Sequence, residues 1–314
     1  MNDVMVLMSR LASIIFIAAI GYVVSYRKIV NANQKGGISL ILNRLALPML
    51  IVTSIGKMQL SAETLYNSGI IIVGTCLIYA MCYLYSHFIS KKWDMPNKER
   101  SVFVNASVHG NVAFLGFPLL LAVYGEEGLF YGSIFFMCDN VLMFTAGMRR
   151  LMRDYPKKKE LAPVTIALIA GLAIMLVSNI TGLNLTDNPL FTGMSDLGTV
   201  TTPLAFLFIG FTVHENNIMP LLKDKRALVL LLGKMVVIPL ILMFILLPFK
   251  TMIPILLLKV IIVEALMPPY ASLLSMAYEY QQDMKLAASL VVVGHIAVIV
   301  TIPILFTLMN FMYV

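Results

Sequence analysis

Several ionisable side chains stand inside otherwise apolar stretches of this 314-residue chain, among them Arg44, His109, Asp139, Lys234, Lys259, Glu264 and His295. A charge held in an apolar medium is costly, so each is a candidate for function. Their chemistry suggests two jobs. Arg44 and His109 could answer the charge of an anion, while the amides of Asn43 and Asn111 orient it by hydrogen bonds. Asp139, Glu264 and His295 could carry a proton, histidine being the side chain whose charge changes near neutral pH. Asp139 and His295 lie 156 residues apart in the chain, and as a pair they would form a relay. The plainer expectation is that each hydrogen-bonds a neighbouring helix. Lys259 and Glu264 are separated by about 140° around an ideal helix, too far to share a face.

Reactive motifs of other kinds are missing. The sequence has no HExxH zinc motif, nucleophile elbow or paired carboxylates. Gly110 to Gly116 is glycine-flanked but lacks the Lys-Ser/Thr of a phosphate-binding loop. An enzyme is not expected, and neither is a cofactor or metal. Cys76, Cys82 and Cys138 lie in apolar runs without metal-ligand spacing and read as buried free thiols. The 22 methionines read as flexible packing.

The elements that must position these groups are helices in a membrane. Apolar residues make up 60% of the chain and charged residues 12%, about half the charged share of a soluble domain. Lipid can solvate such a surface where water cannot. The net charge of +7 does not form a basic stripe interleaved with aromatics, so nucleic acid is not expected as a partner. Hydropathy gives ten spans, near 4–25, 37–56, 66–90, 101–124, 128–149, 161–181, 193–213, 226–248, 252–280 and 284–312. Leu11 to Val24, preceded by Arg10, resembles the apolar core of a signal peptide, but no small-residue cleavage site follows and it reads as the first span. Seventeen of the 23 lysines and arginines fall in alternate loops, around 27–35, 91–100, 149–159, 223–226 and 285. The opposite loops hold only Lys57 and Lys250. The positive-inside rule then places both termini outside the cytoplasm.

An even number of spans around one basic loop divides the chain into two five-helix halves, 1–152 and 161–314, joined by a cytoplasmic linker at 153–160. Five is odd, so the second half must be inverted. Leu42 to Pro48 resembles Leu197 to Pro203 at an offset of 155, and Pro118 falls near the counterpart of Pro268 and Pro269. Chance recurrence of proline kinks is the alternative. Helices broken at matching points of inverted repeats mark a transport site. Half-helices restarting near Gly116–Pro118 and Pro269–Tyr270 would present amide N–H groups suited to a carboxylate. Asn111 either touches such a ligand or bridges the broken backbone. Thr53, Thr201 and Thr202 either line the site or bond to backbone carbonyls.

The stretch Gly110-Asn111-Val112-Ala113-Phe114-Leu115-Gly116-Phe117-Pro118-Leu119-Leu120 closely resembles the fourth-helix signature of the auxin efflux carrier family. Asn43-Arg44 followed by Pro48 resembles its second helix. Met267-Pro268-Pro269, Glu279-Tyr280 and Thr301-Ile302-Pro303 resemble its ninth and tenth. The resemblance implies an all-α membrane protein of ten helices in two inverted repeats, with broken helices 4 and 9 crossing, a fold shared with bile-acid transporters and some sodium–proton antiporters. It implies a secondary transporter of small organic anions, mono- or dicarboxylates, binding beside that crossing and working by alternating access. The short segment at 149–160 favours a bacterial-type permease for malate- or malonate-like acids over the plant carriers. The alternative is a sodium-coupled carrier or sodium–proton antiporter, although neither Asp139 nor Glu264 lies in a sodium motif of the family type. Expected partners are the anion, the lipid bilayer of the cell membrane and a coupling proton or sodium ion. Small-residue and Met-rich faces leave a homodimer open.

Overall fold

The computed structural model describes residues 2–152, 163–215 and 218–313, so the linker expected at 153–160 lies outside the described residues. The first half contains α1 (Asn2–Tyr26), α2 (Ala32–Ile41), α3 (Leu47–Gly56), α4 (Ala62–Lys92), α5 (Asn97–Val108), α6 (Phe117–Leu142) and α7 (Met148–Leu151). The second contains α8 (Pro163–Thr181), α9 (Pro189–Thr199), α10 (Thr201–Glu215), α11 (Ile218–Leu222), α12 (Lys225–Leu232), α13 (Ile238–Leu246), α14 (Ile255–Ala265), α15 (Leu273–Glu279) and α16 (Met284–Met312). Among the described residues, the one extended pairing is an isolated bridge between Gly110 and Pro269.

Five continuous helical stretches are long and apolar enough to cross a membrane: Ala62–Lys92, Val112–Leu151, Pro189–Glu215, Lys225–Phe249 and Met284–Met312. Ile15–Tyr26, Arg44–Gly56 and Ile166–Thr181 are shorter and apolar. The 40 residues of Val112–Leu151 would reach about 60 Å if straight, roughly twice a hydrocarbon core. They turn back instead. Gly125 has φ 66° and ψ −158°, a conformation that suits a residue without Cβ. The rings of Phe117 and Phe136 then meet with centroids 5.3 Å apart. Two arms therefore replace one rod, in keeping with separate spans at 101–124 and 128–149.

Proline explains most of the irregular turns. The π-helical turns Leu42–Ala46, Val112–Gly116 and Gly233–Val237 are each followed, one residue on, by Pro48, Pro118 and Pro239. A proline ring collides with the carbonyl four residues back and offers no N–H, so the preceding turn widens. A fourth such turn, Met143–Gly147, has no proline behind it.

The helices gather into two packed groups. In one, α1 packs on α10, and α3 on α8 and α9. In the other, α4 packs on α5 and α6, α14 on α6, and α16 on α12 and α15. Small residues set the closest approach: a Cβ at Gly21 would collide with the Leu207 carbonyl oxygen, and one at Gly210 with that of Ala18. Backbones can touch this closely only where both faces lack side chains. Cys82 is buried, but Cys76 is exposed on α4 where the sequence suggested a buried thiol. An apolar run in a lipid-facing helix need not be covered by protein.

At the start of α12, Arg226 ties three segments together. Its Nη1 is 2.8 Å from Glu99 Oε2 and its Nη2 is 2.8 Å from Asp224 Oδ2. Asp283, which caps α16 by accepting from the Leu286 amide, lies 4.0 Å from the same guanidinium. Burial works to raise the Asp224 carboxyl, and the hydrogen bonds and charge of Arg226 outweigh it, holding the group below its ordinary 3.8. A depressed folded pKa contributes stability above the unfolded value and loses it as pH falls through the folded one. The melting temperature of wild type should therefore fall on acidification below pH 3.8 more steeply than that of Asp224→Asn. Equal slopes would show that the contact contributes nothing.

Candidate functional site

The two broken helices meet. α5 ends at Val108, and His109 is extended at φ −103° and ψ 130°. Gly110 pairs with Pro269, and the Asn111 amide donates to the Pro268 carbonyl at 2.8 Å. The sequence accounts for both sides. Pro268 and Pro269 have no N–H and push Met267 out of helical geometry. A Cβ at Gly110 would lie 3.1 Å from that of Met267, so glycine permits the approach. In an apolar interior a broken helix survives where its backbone groups find partners in protein, and here each break supplies them to the other.

The helices restart at different points from those expected. The sequence placed the first restart near Gly116–Pro118, but the chain re-enters helical geometry at Val112, with the Asn111 carbonyl accepting from Leu115 and Gly116. Pro118 sits in the first turn of α6, where it widens the helix and does not break it. The second restart was placed at Pro269–Tyr270. α15 begins at Leu273, whose amide donates to the Tyr270 carbonyl.

The ionisable groups pair across the crossing in an order the sequence did not suggest. Asp139 Oδ1 lies 2.8 Å from His109 Nδ1, and His295 Nε2 lies 2.7 Å from Asn111 Nδ2. Asp139 and His295 thus bond to separate partners on the broken fourth helix, not to one another. His295 Nδ1 is 2.7 Å from the Val291 carbonyl. An acceptor on one ring nitrogen and a donor on the other select the neutral Nδ1–H tautomer.

Other groups at the crossing have unused capacity. Glu264 is 3% exposed, and neither carboxyl oxygen has a hydrogen-bond partner among the described residues. It points into a notch between glycines: a Cβ at Gly116 would lie 2.7 Å from both oxygens, and one at Gly132 3.5 Å from Oε1. His109 Nε2, Asn105 Oδ1 and the Tyr270 hydroxyl are likewise buried without partners. The ring of Tyr270 stands edge-on to His109 at 6.0 Å. The side chains of Asn105 and Tyr270 had no role in the sequence reading, where Tyr270 entered only as the backbone of a restarting helix.

Lys234 also gains a place. It is 3% exposed, and its Nζ donates to the Ser107 carbonyl at 2.6 Å. Arg44, by contrast, is exposed. Its turn packs against α8, α9 and α10. The side chain of Asn43 lies outside the described residues. Thr53 donates to the Met49 and Leu50 carbonyls, the plainer of its two expected roles. Thr201 is fully buried, and Thr202 partly so.

A cavity of about 280 Å³ opens beside His295, between α1, α10, the turn at Leu115 and α16. Its wall is apolar, including Leu115, Phe206, Val213 and Ile299, with Tyr22 and His295 as its polar-tipped members.

Apolar helices of membrane-spanning length, with two shorter broken helices joined around buried polar groups, are the frame of a multi-pass membrane protein. A family model described as membrane transport protein, that of the auxin efflux carriers, matches residues 6–160 and 147–306, and the chain belongs to this family. Nothing among the curated proteins matches it.

Proposed function

We propose that the protein is a secondary transporter of small organic anions, working by alternating access with substrate bound at the crossing of helices 4 and 9. The observation that carries this reading is the junction at Asn111. Its backbone joins the two broken helices while its side chain reaches His295, a residue of the cavity wall. In this reading the ten sequence spans form two inverted repeats, 1–152 and 161–314. The linker is cytoplasmic, both termini are extracytoplasmic, and the chain lies in the cell membrane. The Val112 restart supplies N–H groups to a carboxylate, and Asn111 orients it through hydrogen bonds.

The cavity refines the class of anion. Its apolar wall would strip water from a second carboxylate without replacing the lost hydrogen bonds. A monocarboxylate with an apolar body therefore fits better than a malate-like diacid. A proton suits the coupling role, because Glu264, His109 and Asp139 offer exchangeable sites at the crossing.

Thermal stabilisation of the purified protein by a panel of carboxylates tests the reading, since a ligand that binds the folded state raises its melting temperature. Benzoate and indole-3-acetate should stabilise wild type more than malate or malonate, and Asn111→Ala should lose the shift. Stabilisation by a neutral solute alone would remove the anion reading. An undiminished shift in Asn111→Ala would remove the site.

A further inference from the structure

The end of α5 poses an electrostatic problem that the chain itself answers. A helix leaves its last carbonyls without intrahelical partners and carries partial negative charge at that end. Because the chain departs from helical geometry at His109, these carbonyls face the protein interior. The Asn105 carbonyl is taken by the His109 amide, and the Ser107 carbonyl accepts from Lys234 Nζ at 2.6 Å. The ionisable groups acting on Lys234 are Cys82 on α4 and Asp139 on α6. Among the described residues no carboxylate forms an ion pair with its ammonium.

The lysine is also held firmly. Pro239 widens the turn Gly233–Val237 that carries it. Gly233 packs directly on the Tyr85 ring, and the Tyr85 hydroxyl donates to the Val229 carbonyl at 2.6 Å. A buried ammonium costs several kcal/mol to desolvate and would be out of place in an apolar interior unless its charge met a need there.

We propose that Lys234 is the built-in cation of the crossing: a tethered ammonium that offsets the negative end of α5 and the charge of a bound anion, in the position a co-bound sodium ion would otherwise fill. Sodium would need several oxygen ligands, and the Ser107 carbonyl, which faces this position, is already engaged. Lys234 serves the anion only if the chain is the carrier proposed above, yet its cation balance can be read without any substrate.

The test is the melting temperature of the purified full chain in sodium, potassium and choline chloride. Wild type should melt at one temperature in all three. Lys234→Gln should melt about 5 °C or more lower in choline, and sodium or methylammonium should recover most of that loss by entering the vacated position. Sodium-specific stabilisation of wild type would overturn the assignment whether or not any variant folds. A Lys234→Gln protein that melts like wild type, or lower but without response to either cation, would overturn it as well. If Lys234→Gln does not fold, Lys234→Arg should fold and remain insensitive to sodium; an Arg variant stabilised by sodium would count against the assignment.

Discussion

Glu264→Gln is expected to yield a folded carrier whose uptake no longer responds to a proton gradient and falls to the level of empty liposomes. Glutamine matches the shape of the acid, so the notch at Gly116 and Gly132 stays filled. Its amide leaves buried polar atoms unpaired, as the carboxyl does, at about 1–3 kcal/mol each. Most of the stability should therefore remain. What disappears is a group able to gain and lose a proton at the junction of α14 with the second break. An ionised carboxylate there has no hydrogen bond among the described residues, so its charged form depends on a rearrangement that brings water or a cation to it. The alternating access proposed above would supply such a rearrangement. Uptake into proteoliposomes, with and without an imposed pH difference, is the measurement. Gradient-driven uptake at wild-type rates in Glu264→Gln would remove this residue from the coupling mechanism.

Gly210→Leu should have the largest effect on stability. A Cβ at this position collides with the Ala18 carbonyl and lies 2.6 Å from the Tyr22 amide nitrogen. Backbone atoms cannot step aside by changing rotamer, so α1 and α10 would have to separate along their contact. Overpacking of this severity costs about 3 kcal/mol or more. The variant should lose its monodisperse peak in detergent chromatography. Gly69→Ala on α4 is the control: nothing lies within 4 Å of the added carbon, and alanine favours an exposed helix by about 1 kcal/mol. If both variants behave like wild type, the α1–α10 contact does not hold the group together.

Much of this architecture was legible in the residues. The apolar runs gave the helices, and Pro268-Pro269 marked a break because two adjacent residues without N–H cannot continue a helical ladder. The fourth-helix break was harder to place. Proline drew attention to position 118, while the chain leaves the helix at His109, where the partner that satisfies Asn111 comes from residue 268. Nothing local announces a backbone bond to a distant segment. The pairings of Asp139 with His109 and of Asn111 with His295 were hidden for the same reason: they depend on which helices become neighbours. Lys234 was visible as an ionisable residue in an apolar run. Its partner is a main-chain carbonyl, which carries no residue-specific signal. Tyr270 and Asn105 matter only through unpaired atoms that appear once the core has closed.

The bond from Asn111 to Pro268 also sets a timetable for biogenesis. The acceptor is made 157 residues after the donor, which at about 5–20 residues per second takes roughly 8–30 s. Until then the Asn111 amide lacks the partner it has in the folded chain. An unsatisfied backbone group in hydrocarbon costs several kcal/mol, so the early helices have reason to stay loosely associated, with water or the insertion machinery covering the gap. The crossing can close only once the second break has been made, so it is a late event in assembly of the helices.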